Sequence, residues 1–325
     1  MNLHENRKLF SEAIIAASQA KEDGGLGVKQ MFVEKDYWIT RSLKLLAESA
    51  YSELTVFKGG TSLSKAYGIG SRFSEDVDIA VVDDANRTDN QTKSIVSGVC
   101  HVMSDGLEEL PTPNTRKFSK YRKVYFQYSQ KDVLSMYGTI KSGVIQFEIV
   151  SFTNPYPYNS CEIGSLLRDF LLLHGREDII AKYGMESFRI NVLDYNRTAT
   201  EKTVSLIRQS LSDNFMSDLR AKIRHFYDLH FLWNEPKCQD YLKGQQFKDD
   251  FRKLLAEDQK RFSEPYGWNT KSIAGSPLLF NFSDIWNDLS KVYEKELSEL
   301  AYRSVPKASE IYLSISQIFD NLKTI

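Results

Sequence analysis

The sequence predicts an α+β fold: a domain with a mixed sheet over residues 1–195, followed by an α-helical bundle over 196–325. Three observations predict it. An apolar run, Leu54 to Phe57, ends at the pair Gly59-Gly60 and leads into a short helical stretch. A second apolar run, Val77 to Val82, carries carboxylates two positions apart, Asp76 and Asp78, at its start. From Thr198 onward the pattern is almost wholly helical.

Taken in order, residues 7–20 and 35–50 place apolar side chains at three- and four-residue spacing and read as helices. Leu54 to Phe57 reads as a buried strand, TSLSKAYG as a short helix, and Val77 to Val82 as a second strand ended by Asp83-Asp84. A helix is expected over 91–105, and β-rich strands of the same sheet over Tyr121 to Tyr128 and Val144 to Phe152. NPYPY at 154–158 must be a loop, since closely spaced prolines cannot sit in a central strand. A helical stretch over 163–183 and a strand from Ser187 to Leu193 complete the first domain. The second is expected to hold helices over 200–212, 216–234, 239–257, 284–302 and 306–323, interrupted by a loop at 266–277.

Composition excludes several classes. Hydrophobic residues are 42% of the chain, enough for a sizeable core. No run of eighteen apolar residues appears, so no membrane span is expected, and the charged MNLHENRKLF does not read as a signal peptide. Cys100, Cys161 and Cys238 lie far apart without metal-ligand spacing, which suits buried thiols in a reduced, cytoplasmic setting. The 42 basic residues nearly balance the 43 acidic ones, so any nucleic-acid partner must be held by a local patch. The segment Arg116 to Tyr128, RKFSKYRKVYFQY, interleaves cations with aromatics: it could grip an RNA backbone and stack bases, or be an antiparallel strand with one solvated face.

The stretch Phe57 to Val82 carries the chemistry. Gly59 and Gly60 let a ligand approach the backbone, and Thr61 and Ser62 open a helix whose unpaired N–H groups favour phosphate. Asp76 and Asp78 leave the same face of a strand and repel each other unless a cation sits between them. Mg²⁺ prefers one or two carboxylates plus phosphate oxygens. A glycine pair alone is a common turn, and Asp-x-Asp alone is a common solvated strand end; it is their order and apolar flanks that point to phosphoryl chemistry. Glu148, amid β-branched neighbours, is either a third ligand or part of a solvated face with Gln146.

A second constellation lies on the helices. Thr198 to Glu201 has the form of a capping box, which places Lys202 in the first turns of a helix, where the macrodipole disfavours it unless a polyanion is near. Arg220, Arg224 and Asp228 are spaced by four on one helix face. The residues alone favour an exposed salt-bridge ladder. His225 beside them reads as structural.

Glu34-Lys35-Asp36-Tyr37-Trp38, the string Phe57 to Lys65 (FKGGTSLSK) and Arg72-Phe73-Ser74-Glu75-Asp76-Val77-Asp78 together resemble the AbiEii-type toxins, nucleotidyltransferases of type IV toxin–antitoxin systems within the polymerase-β-like superfamily. The spacer 61–75 is longer than the superfamily's usual gap and suits the narrower family. Asn196 to Lys202 resembles the family's motif with an essential lysine, and Arg224 to Leu229 its motif with an essential aspartate. The resemblance runs in ordered motifs from about residue 31 to 230.

It implies a polymerase-β-like domain and a toxin that moves a nucleoside monophosphate from an NTP to RNA, such as a tRNA 3′ end, with Mg²⁺ or Mn²⁺ as cofactor. Asp76 and Asp78 would bind metal, with Glu148 as a third ligand. Lys58, Gly59, Gly60, Thr61, Ser62 and Arg72 would bind the nucleotide. Lys202 would hold the triphosphate, and Asp228 would complete the site from the helical domain. An antitoxin encoded nearby is implied, and Ser74, two residues before Asp76, is a candidate control point by phosphorylation. The rivals are transfer to a protein hydroxyl and an inactive nucleotide-binding module, against which the intact acidic and basic set argues.

Overall fold

Helical spacing of apolar residues folds the N-terminal segment into α1 (Arg7–Ser18) and α2 (Gln30–Ala47), the latter starting five residues earlier than the periodicity suggests. The computed structural model describes residues 2–324 apart from Glu75, Asp83, Ala85 and residues 129–135, 138–139 and 142. Glu75 of the acidic motif and Asp83 at the expected strand end therefore lie outside the described residues. The chain forms two compact units, residues 1–66 with 73–193, and residues 67–72 with 194–325.

In the first unit β1 (Thr55–Lys58) runs without a loop into α3 (Gly59–Tyr67), followed by β2 (Asp76–Val81) and α4 (Asp89–Met103). Thr88 and Gln91 close a capping box at the start of α4. Then come β3 (Glu108–Glu109), β4 (Arg116–Lys117), β5 (Tyr121–Gln127), a small ribbon of β6 (Met136–Tyr137) and β7 (Ile140–Lys141), and β8 (Val144–Val150). β9 (Tyr158–Ile163), α5 (Leu166–Leu173), α6 (Glu177–Lys182) and β10 (Phe188–Leu193) complete the unit.

The strands line up as β3-β5-β8-β2-β1-β10-β9, with β4 also on β5. The pairs β2·β8 and β1·β10 are parallel and the others antiparallel, so the sheet is mixed. Alternation sorts its faces. Phe57, Val77, Ile79, Val124, Phe147 and Ile149 are fully buried on one face, and each stabilises the fold by about 1.5–3 kcal/mol through burial. Arg122 reaches Ser97 of α4 from this face, and Tyr128 stacks on Trp38 of α2, so these helices cover it. The opposite face carries Lys58, Asp76, Asp78, Glu148 and Lys123, none fully buried. The helix expected from residue 163 is preceded by the unexpected strand β9, a polar sheet edge (YNSCEI) whose single buried residue, Ile163, left no alternating signal.

The second unit is helical: α7 (Tyr195–Ser210), α8 (Phe215–Arg220), α9 (Ile223–Trp233), α10 (Pro236–Lys243), α11 (Gln245–Arg261), α12 (Pro277–Phe280), α13 (Phe282–Leu300) and α14 (Ala308–Leu322). α7 packs on α9 and α11, and α14 on α9 and α13, around an aromatic cluster of Phe226, Phe282, Trp286, Tyr293 and Phe319. The segment 67–72 threads into this unit: the Ser71 N–H donates to the Tyr227 hydroxyl at 3.0 Å, and the Tyr302 N–H donates to the Ser71 carbonyl at 3.0 Å. Two expected helices are each broken in two. Residues 216–234 separate at Ala221-Lys222, and 239–257 at Gly244, where an extended backbone separates α10 from α11. Among the described residues no helix is long and apolar enough to cross a membrane.

Candidate active site

Gly59 turns β1 into α3 with φ of 84°, a left-handed conformation that side chains disfavour. A Cβ there would also collide with the Asp78 carboxylate. Glycine is thus required twice, and the Asp78 carboxylate lies against the start of α3, where backbone N–H groups lack helical partners. The hydroxyls beside this turn face inward: Thr61 donates to the Asp76 carbonyl at 2.6 Å, and buried Ser62 donates to the Gly59 carbonyl at 2.9 Å. What this turn can offer a phosphate is therefore its backbone N–H groups rather than the two hydroxyls.

Strand register builds a row across the opposite, half-buried face. Lys58 pairs with Asp78, Asp78 with Glu148, and Glu148 with Lys123. Asp76 lies on the same face, opposite Gln146. The Tyr121 hydroxyl hydrogen-bonds Glu148, and its pKa is pushed up first by burial, then by the charges of Glu148 and Asp78. Among the described residues no three His, Cys, Asp or Glu side chains are grouped so as to cage a metal. The donor set is carboxylate oxygen only, so it fits a hard divalent cation that completes its shell with phosphate oxygens and water, and not a closed His/Cys site.

Asp36 of the Glu34–Trp38 motif plays a part its sequence does not reveal. It is buried on α2, pairs with Lys65 of α3 at 2.6 Å and accepts the Leu166 N–H at the start of α5 at 2.7 Å. It therefore fixes the helix that follows the Gly59 turn. The only hint in the sequence is a run of charges on an otherwise apolar helix.

In the second unit, Asp228 on α9 accepts a two-pronged hydrogen bond from Arg72, Nε to Oδ1 and Nη2 to Oδ2, each 2.7 Å, and pairs with Lys202 of α7 at 2.8 Å. All three are buried. Burial alone would raise the Asp228 pKa, but Arg72 and then Lys202 outweigh it and hold the carboxyl well below its usual range. This corrects the solvated-ladder reading of Asp228. Arg220 sits on α8, and Arg224 pairs with Glu296 at 2.7 Å. The capping box at Thr198 is corrected too. α7 begins at Tyr195 with Asp194 as its N-cap, Thr198 lies inside the helix, and Lys202 sits mid-helix, away from the macrodipole's positive end. The lysine's burial is explained by Asp228, not by the helix end.

Comparisons with known proteins give this geometry a family. No curated protein matches the sequence significantly. MenT4, a nucleotidyltransferase toxin from Mycobacterium tuberculosis H37Rv, is similar in structure at 16% identity and a TM-score of 0.50, over 98% of this chain and 90% of that one. JHP933 from Helicobacter pylori matches at 15% identity and a TM-score of 0.41, over 91% of this chain and 95% of that one. Such low identity speaks to fold alone. The sequence itself matches, over residues 41–308, the family model of the nucleotidyl transferase AbiEii toxin of type IV toxin–antitoxin systems, and the chain belongs to that family of nucleotidyltransferases.

Proposed function

We propose that this nucleotidyltransferase joins the nucleoside monophosphate of an NTP to an RNA 3′ hydroxyl, with a tRNA end as acceptor, and that it needs Mg²⁺ or Mn²⁺. The observation that carries this reading is the register of half-buried Asp78 with Glu148, against the Gly59 turn. Asp76 and Asp78 would hold the cation together with phosphate oxygens and water, and Glu148, opposite Asp78, is the candidate to join them once it is bound. When bound, such an ion draws charge from the attacking and departing oxygens. The N–H groups that open α3 would hold phosphate oxygens, with Gly59 and Gly60 allowing close approach. Lys58, beside Asp78 in the row, would neutralise part of the triphosphate. In the reaction the acceptor oxygen bonds the α-phosphorus, the bond to the β-phosphate breaks, and pyrophosphate leaves. Membership of a toxin–antitoxin family implies an antitoxin as partner, and a cytoplasmic setting is part of the same proposal.

The test supplies Mg²⁺, each α-labelled NTP in turn, total RNA and cell protein. Label is expected in a nuclease-sensitive band with release of pyrophosphate. Asp78→Asn is expected to slow transfer by about 100-fold or more, the scale of losing one preorganised electrostatic group. Label in a protease-sensitive band would replace RNA with a protein acceptor. NTP binding without any transfer would overturn the proposal.

A further inference from the structure

The segment Arg116 to Tyr128 holds five cations and four tyrosines or phenylalanines before its final Tyr128, and the sequence leaves open whether they form a surface. The sheet register sorts them. Lys117 pairs with Arg122 across the β4–β5 hairpin, on the helix-covered face. There Lys117 is neutralised by Glu109 at 2.6 Å, Lys120 by Asp89 at 2.8 Å, and Arg122 bonds Ser97 at 3.1 Å. Arg116 pairs with Lys123, and Lys123 with Glu148, so these two cations continue the row that runs from Lys58 through Asp78. Among the described residues neither Arg116 nor Lys123 forms an ion pair. Arg116 is exposed and steadied through Nη1 by the carbonyls of Pro113 and Thr115, at 2.7 and 2.9 Å. Tyr121 and Tyr125 flank Lys123 on this face, and Phe118 stands 62% exposed at the hairpin turn.

We propose that this face of the β4–β5 hairpin seats the single-stranded end of the RNA acceptor: Arg116 and Lys123 hold its phosphates, and Tyr125 and Phe118 stack its bases. The proposal rests on the nucleotidyl-transfer reading above. Cations outside any ion pair among the described residues, beside partly exposed rings, match a strand with a phosphate in every residue and a π-face on every base. The carboxylates one strand away would repel that same backbone, so the hairpin cations are needed for the acceptor to lie along the row. The exposed Glu108, paired with Gln127 at the far end of β5, sets an opposite charge there and marks where the seat stops.

The test uses the full chain and a fluorescein-labelled single-stranded RNA with a free 3′ hydroxyl, followed by anisotropy over a range of salt, together with labelled-NTP transfer to that RNA. The Arg116→Ala/Lys123→Ala double variant should weaken RNA binding about tenfold or more. It should lower the slope of log K against log salt by about 1.4, two single-strand phosphate contacts' worth, and leave the KM for NTP unchanged. Lys117→Ala/Lys120→Ala, on the opposite face, should match wild type. Tyr125→Leu should weaken binding and Tyr125→Phe should restore it. If wild type transfers to RNA while the two double variants weaken binding equally, or the salt slope does not move, the hairpin assignment falls and the nucleotidyl-transfer reading stands. If wild type neither binds nor labels RNA, both fall.

Discussion

His225 lies one turn before Asp228 on α9, in a field set by nearby charges. Burial first, then Lys202 and Lys222, holds its imidazole well below the ordinary range. A histidine with a depressed native pKa takes up its proton more readily in the unfolded chain. Its contribution to stability is full above the unfolded value near 6.5 and is lost as pH falls below it. His4, pushed down to about 4 chiefly by burial, and His230, lowered by burial, act in the same direction. Asp228 behaves differently: its depressed carboxyl stabilises the fold at every pH above the unfolded carboxylate value of about 3.9. Loss of stability between about pH 6.5 and pH 5 is therefore assigned to the histidines. Urea unfolding across that window should show His225→Gln flattening the dependence by up to about 1.4 kcal/mol per pH unit; parallel curves would clear His225. Apolar flanks make Asp76 and Asp78 stand out in the sequence, whereas Lys202 and Asp228 are singled out only by the family resemblance. The sequence could not display that Lys202 and Asp228 pair with each other, because 25 intervening residues and a helix break separate them.

Elements with strong periodicity were legible, and those held by tertiary contact were not. α1, α4, α13 and α14 lie within a few residues of their expected bounds because their apolar faces recur regularly. β3 and β4, two residues each, and the polar edge β9 exist by pairing with a neighbour and leave no pattern of their own. The start of α7 shows how a motif misleads. Thr198 and Glu201 match a capping box, yet Asp194 accepts the Asn196 N–H at 2.8 Å and caps the helix four residues earlier. Thr198 donates to the Asp194 carbonyl at 3.1 Å, and Glu201 pairs with Arg197 at 3.5 Å. Asp194→Ala should thus cost about 1 kcal/mol, an N-cap's worth, and Glu201→Ala about half of that or less, as for an i,i+4 pair. Urea midpoints of the two variants decide the matter. A larger loss for Glu201→Ala would restore the capping box.

At the scale of the whole chain, the units do not follow sequence order. Residues 67–72 leave the first unit after α3 and belong to the second, where Arg72 supplies the two-pronged bond to Asp228, Ser71 accepts the Tyr302 N–H, and Arg72 bridges to Ala301. No periodicity marks six residues as part of a bundle that begins more than a hundred positions later, which is why the sequence suggests one join near 195. The physical consequence is that residues 194–325 are an incomplete unit. Without Arg72, Asp228 keeps, among the described residues, Lys202 alone as an ion-pair partner, and breaking a buried ion network by removing one partner costs about 3–5 kcal/mol. That is a large share of the roughly 5–15 kcal/mol that holds a domain folded. Two fragments test this: residues 194–325 alone, and the same fragment with 67–72 joined ahead of it by a flexible linker. The first should unfold at lower urea and exchange its α9 amides quickly, and the second should recover much of the loss. An Arg72→Met change in the linked fragment should cancel that recovery. Equal urea midpoints for the two fragments would show that the bundle stands without the borrowed segment.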